Sequence, residues 1–157
     1  MKSLSAIEEP KTVRDVQSLV GKIAALGRFI SKMSDRCKPF FQCIKQSASL
    51  EWGEEQSQAF GDLKEYLSTS PVLFASEDGE ELFLYLAISE VAVSGVLVRE
   101  ENKKQKLVFY TSMMLLNAET RYSDLEKMVL ALVTAKKKLR HYFKSNPVTV
   151  VTNYPIK

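Results

Sequence analysis

The sequence predicts an α+β protein: a three-helix lobe followed by a small mixed sheet with one crossover helix. Up to about residue 70, apolar residues recur at intervals of three and four, the helical period. After Ser70-Pro71 the pattern changes to short apolar runs rich in branched and aromatic side chains, separated by turn residues. One capped amphipathic stretch then precedes a last valine-rich run.

The first helix begins at Thr12, with Asp15 completing a capping-box pattern that uses Asp in place of Glu. Val13, Val16, Leu19, Val20, Ile23, Leu26, Phe29 and Ile30 form its apolar stripe, with Gly21 and Gly27 inside it. A second helix is expected over 35–45, carrying Cys37, Phe40, Phe41 and Ile44. Trp52 precedes a third, 54–67, whose buried face is Phe60, Leu63 and Leu67. Residues 1–70 make the helical lobe and 71–157 the sheet lobe.

In the second lobe 82–88 reads as a strand buried on both faces. Runs 91–98 and 107–111 follow as a hairpin joined by the polar loop 100–106. Ser123 and Glu126 form a second capping box. The helix behind them extends to about Phe143, with Leu125, Met128, Val129, Leu132, Val133 and Leu139 expected on its inner face. Pro147 opens the last strand, 148–152, which a right-handed crossover sets parallel to the first.

At 157 residues, 45% hydrophobic and 26% charged, the composition is that of a folded domain. No apolar run approaches the ~20 residues of a membrane span, and the acidic start, MKSLSAIEEP, is not a signal peptide. Cys37 and Cys43, six positions apart on one expected helix, lie ~9 Å apart and cannot bridge. An intracellular setting, cytoplasm or nucleus, is therefore expected. The net charge of +3 is shared almost evenly: 10 basic against 9 acidic residues in 1–70, and 12 against 10 in 71–157.

Three stretches carry the chemistry: LYLAIS (84–89), YSDLEKMVLAL (122–132) and VVTNYPIK (150–157). They resemble the RNase H region of gypsy-type LTR retrotransposon polyproteins, and LYLAIS resembles a plant subset of those elements. Upstream, PKTVRDVQSLVGKIAALGRFISKMSDRCKPF looks like the helical thumb following a polymerase palm, and EWGEEQSQAFGDLKEYLSTSPVL like the joint into RNase H. The palm itself, with its Tyr-x-Asp-Asp pattern, is absent. The resemblance implies a thumb-like lobe and a truncated RNase H-like lobe, because the sequence stops just after the fourth strand.

Active members of that family place an Asp on the first strand, a Glu on the helix and an Asp after the next strand. The corresponding positions here are Ala87, Met128 and Asn153. Phosphodiester hydrolysis of this kind uses two Mg²⁺ ions, hard cations held by carboxylates. A methyl, a thioether and one amide cannot hold them, so no metal, no cofactor and no RNase H activity are expected. Glu126 does not substitute: it is two residues from Met128, about 200° around the helix. Glu90 and Asp124 read as solvated turn and first-turn residues, and the lone His141 as a helix-end residue.

Lys136, Lys137, Lys138, Arg140 and Lys144 form the densest basic cluster, and Lys22, Arg28 and Lys32 are expected to line the polar side of the first helix. Both sets read either as solvated faces or as phosphate contacts to an RNA–DNA or DNA duplex, weak and without sequence preference. Two functions stay open: an inert connection module beside polymerase or active RNase H domains, or a domesticated remnant acting as a protein-interaction module. The strand 148–152, with nothing expected beyond it, is an edge where a homodimer or a partner segment could add a strand.

Overall fold

A computed structural model describes residues 7–45, 50–69 and 72–155. They form two compact units. One comprises the described residues of 7–30 and 36–69, and the other those of 31–35 and 72–155. The short segment 31–35 thus clusters with the sheet rather than with the helices that flank it in sequence.

In the helical unit α1 is Val13–Ala25. Thr12 Oγ1 accepts from Asp15 N at 3.2 Å and Asp15 Oδ2 accepts from Thr12 N at 2.9 Å, closing the expected capping box. Val16, Leu19 and Ile23 are its buried stripe. The helix does not reach Phe29 and Ile30: it ends at Ala25, and Gly27–Phe29 form a single 3-10 turn. Gly27 has the lowest helix propensity after proline. Ile30 is fully buried all the same.

The second helix is two pieces, α2 (Met33–Arg36) and α3 (Lys38–Lys45). Pro39 has no N–H to donate and is tolerated only in a first turn, so a new helix must start there. Cys37 O accepts from both Phe40 N and Phe41 N across the break. The third helix, α4 (Glu54–Ser68), follows Trp52, whose ring stacks on Phe40 at 5.7 Å and meets Phe60 edge-on at 6.1 Å. Its indole N–H donates to Ser57 Oγ, so Trp52 is a packing residue with its polar atom satisfied. Both cysteines are free and buried.

The sheet unit holds β1 (Leu82–Ile88), β2 (Ala92–Glu101), β3 (Lys104–Met114) and β4 (Val148–Val151) in the order β3-β2-β1-β4. β1–β2 and β2–β3 are antiparallel and β1–β4 is parallel. The hairpin strands are longer than the sequence suggested. The expected loop shrinks to Asn102-Lys103, both with positive φ, as a two-residue turn matched to strand twist demands. Of β1, Leu82 and Leu84 are buried but Phe83 and Tyr85 only half-buried.

Between β3 and β4 the chain forms α5 (Asp124–Lys138) and α6 (Arg140–Ser145), broken at Leu139 instead of running straight to Phe143. α5 packs over β1 and β2. Leu82, Leu84, Leu97, Val108, Ala135 and Leu139 form the main core, and Val93, Leu115 and Ala131 a second cluster. The inner face of α5 corrects the sequence reading. Met128 and Leu139 are buried as expected, but Leu125, Val129 and Val133 are exposed, and Lys127, Ala131, Thr134 and Ala135 take the inner positions. Alanines at 131 and 135 let the helix backbone lie close to the sheet, which turns the larger branched residues outward.

The connector before β1 is pinned to this unit. Asn146 Nδ2 donates to Glu77 O and Glu80 O at 2.6 and 3.0 Å, and Gly79, at φ +82°, donates its N–H to Ser145 O. Arg99 donates from Nη1 to Ala75 O at 2.8 Å and pairs with Glu80 through charge rather than an aligned hydrogen bond. Among the described residues no helix is long and apolar enough to cross a membrane.

Candidate functional site

The C-terminal ends of the parallel pair β1 and β4 define the site. Their register runs from Leu82 opposite Val148 to Tyr85 opposite Val151. That pairing stops two residues short of Ala87 and of Asn153. On the other side Ala87 faces Ser94, and Ser94 faces Ser112, so the row across the sheet is Ser112, Ser94 and Ala87. Ala87 is half-buried and Asn153 lies exposed in a bend after β4. Met128 sits on α5 with only 3% of its surface exposed, a side chain absorbed into the interior.

The neighbouring carboxylates are committed elsewhere. Glu126 Oε2 accepts from Ser123 N and Ser123 Oγ, both at 2.8 Å, and Ser123 Oγ accepts from Glu126 N. The Ser123 amide and hydroxyl hold the Glu126 carboxyl below its ordinary pKa, which fits a charged cap rather than a proton-shuttling acid. Asp124 accepts from Tyr154 O–H at 3.2 Å; desolvation, together with this bond, raises the pKa of that phenol. Glu90 is exposed. Among the described residues no group of three or more His, Cys, Asp or Glu is arranged to hold a metal ion.

A second set of contacts at this end of the sheet had no signal in the sequence. Ser89 Oγ donates to Asp35 Oδ1 at 2.6 Å, and Ser112 Oγ accepts from Ser34 N at 3.0 Å. These link positions 54 and 78 residues apart, beyond the reach of any local pattern. They anchor segment 31–35 to the sheet at Ser89 and Ser112.

The candidate cations separate. Lys22 is exposed on α1, but Arg28 lies in the 3-10 turn with its guanidinium 5.4 Å from the Phe29 ring. Lys32 lies outside the helix at φ +48°, in the segment that belongs to the sheet unit. The three do not line one helix face, because α1 ends before two of them. Lys136 and Lys137 are exposed in the last turn of α5, and Arg140 is exposed at the start of α6. Lys138 differs: its ammonium donates to Ser112 O, and burial of that group pushes its pKa down. Lys138 is thus exposed as a residue like its two neighbours, while its ammonium braces α5 on β3. Lys127, only 7% exposed, is an inward-turned lysine that helical periodicity did not single out.

A family model described as the RNase H-like domain found in reverse transcriptase matches residues 52–150. The Tf2-3 and Tf2-4 transposon polyproteins of Schizosaccharomyces pombe are 29% identical over 150 residues, 94% of this chain. The chain spans 11% of the length of these curated relatives. The fold is similar to that of a foamy viral protease-reverse transcriptase solved with an RNA/DNA hybrid, with a TM-score of 0.81 at 21% identity over 95% of this chain and 20% of that one. The same enzyme solved with dsDNA gives a TM-score of 0.83 at 20% identity over 99% of this chain and 33% of that one. With nearly two thirds of its length matched by that one family model, and with the sheet order just described, the chain belongs to the RNase H-like domain family of reverse transcriptases.

Proposed function

We infer that this chain is a catalytically inert connection and RNase H-like module of a gypsy-type retrotransposon reverse transcriptase. The observation that carries this reading is that none of the three positions holds an acid: Ala87 lies near the end of β1, Asn153 in a bend after β4, and Met128 is buried on α5. Two Mg²⁺ ions have no carboxylate cage there, so the hydrolytic step has nothing to run on. What remains is a scaffold. It holds its neighbours in the polyprotein in place and adds weak, sequence-independent contacts to a nucleic-acid duplex through Lys22, Arg28, Lys136, Lys137 and Arg140. That the two foamy viral structures are complexes with an RNA/DNA hybrid and with dsDNA supports the duplex as ligand.

The test has two arms. Purified protein incubated with a labelled RNA–DNA hybrid in Mg²⁺ or Mn²⁺ leaves it uncut; metal-dependent cleavage that disappears on Glu126→Gln or Asp124→Asn overturns the reading. Affinity for the same hybrid falls steeply with salt, and replacing Lys136, Lys137 and Arg140 with Ala flattens that slope by about one unit for each phosphate no longer neutralised. Lys138→Ala leaves the slope unchanged, since its ammonium is already bonded to Ser112 O.

A further inference from the structure

The charges of the sheet unit are sorted by end. β1 runs from Leu82, level with Arg99 and Val148, to Ile88, level with Val93. At the Ile88 end lie the 3-10 turn Glu119–Arg121, the start of α5 and segment 31–35. Tyr154, just past β4, bonds Asp124 there. At the Leu82 end lie the β2–β3 turn and the corner between α5 and α6, whose Leu139 packs with Leu82 and Leu84.

The Ile88 end carries Asp35, Glu90, Glu119, Asp124 and Glu126 against Lys32, Arg121 and Lys127, five acids to three cations. The Leu82 end has the opposite balance. Arg99 with Glu80 and Lys106 with Glu101 are paired there. Six exposed cations remain, Lys103, Lys104, Lys136, Lys137, Arg140 and Lys144, against Glu77, Asp78, Glu81 and Glu100. None of the six is ion-paired among the described residues. The acidic turn 77–81 sits on the β4 side, where Asn146 donates to Glu77 O and Thr149 Oγ1 to Glu81 Oε1. Lys103 and Lys104 are at β3, the other edge of the sheet.

We propose that the nucleic-acid duplex is held at the Leu82 end, from the β2–β3 turn to the α5–α6 corner, and not at the Ile88 end beside Ala87. This placement rests on the duplex-binding function inferred above and adds Lys103, Lys104 and Lys144 to its contacts. A duplex carries one negative charge per ~1.7 Å of its axis, so cations that share an end without touching each neutralise a separate phosphate. Such contacts fix position and carry no sequence information. The C-terminal dipole of α5 adds about half a negative charge at this end, which Lys136 and Lys137 outweigh. The acidic Ile88 end repels the same backbone.

Hydroxyl-radical mapping with the full chain tests the placement. Iron–EDTA tethered through Ser145→Cys, an exposed position at the end of α6, cleaves a bound RNA–DNA hybrid, whereas the same reagent on Asn153→Cys leaves it intact. Labelling is selective, because Cys37 and Cys43 are both buried. Lys103→Asn combined with Lys104→Gln lowers the slope of log affinity against log salt by about two units. Asn tolerates the positive φ at 103, so the thermal midpoint is no lower than the parent's. Arg121→Gln, at the other end, leaves the slope unchanged. Cleavage from Asn153→Cys as strong as from Ser145→Cys, or a parental slope in the double variant, overturns the placement while duplex binding stands. Absence of any binding by the parent at low salt overturns the duplex function and the placement with it.

Discussion

On the function proposed above, Met128→Glu places a carboxyl where an active RNase H-like enzyme would have one, and the structure says what it costs. Met128 is 3% exposed, so the new group enters a nearly closed space shaped for a thioether. A carboxyl in such surroundings titrates up to 3–5 units above its ordinary value. At roughly three units and 1.36 kcal/mol per unit, the variant loses about 4 kcal/mol at pH 8. Loss of thioether packing adds about 1–2 kcal/mol at every pH. The sign follows from linkage. The unfolded Glu ionises near pH ~4.3 while the folded one stays neutral, so stability relative to the parent falls as pH rises above that value. It levels off only above the raised folded pKa. Urea unfolding at pH 5 and pH 8 measures both ends, with Met128→Leu as a control that costs less than about 1.5 kcal/mol. If Met128→Glu matches the parent at pH 8, the side chain reaches water or a cation, and the picture of a metal site filled by apolar atoms is wrong.

Two further substitutions test the packing that positions the site. A Cβ at Gly95 would stand 2.9 Å from Thr111 Oγ1 and 3.3 Å from methyl carbons of Leu84 and Leu86, so Gly95→Ala destabilises by about 1–3 kcal/mol in a denaturant titration. Gly21, in α1, has open space around it, and Gly21→Ala stabilises by about 0.5–1 kcal/mol in the same assay. Lys103, at φ +60° in the β2–β3 turn, is held in a conformation that glycine adopts without strain, so Lys103→Gly raises the thermal midpoint; a lowered midpoint would mean the lysine side chain makes a contact worth more than the strain.

Much of this protein was legible from local chemistry. Both capping boxes, Thr12 with Asp15 and Ser123 with Glu126, form as their spacing implies, because the bonds lie within one helical turn. The extent of β1 and the parallel return of β4 followed from runs of branched residues and the geometry of a crossover helix. That Ala87, Met128 and Asn153 carry no carboxylate is a property of residue identity, which no folding can alter. Tertiary structure decided the rest. Periodicity shows that α5 has an apolar side but not which part of a wide one meets the sheet. The small volumes of Ala131 and Ala135 settled that, turning Leu125, Val129 and Val133 to the surface. Nor does a lysine's position in the sequence reveal where its ammonium ends: Lys138 sits in a run of three, yet its charge folds back onto the Ser112 carbonyl, and Lys127 lies inward. The bond from Ser89 to Asp35 joins residues with no local relation at all. Such contacts depend on how whole elements pack, and packing sums many weak terms across the chain that no short window of sequence contains.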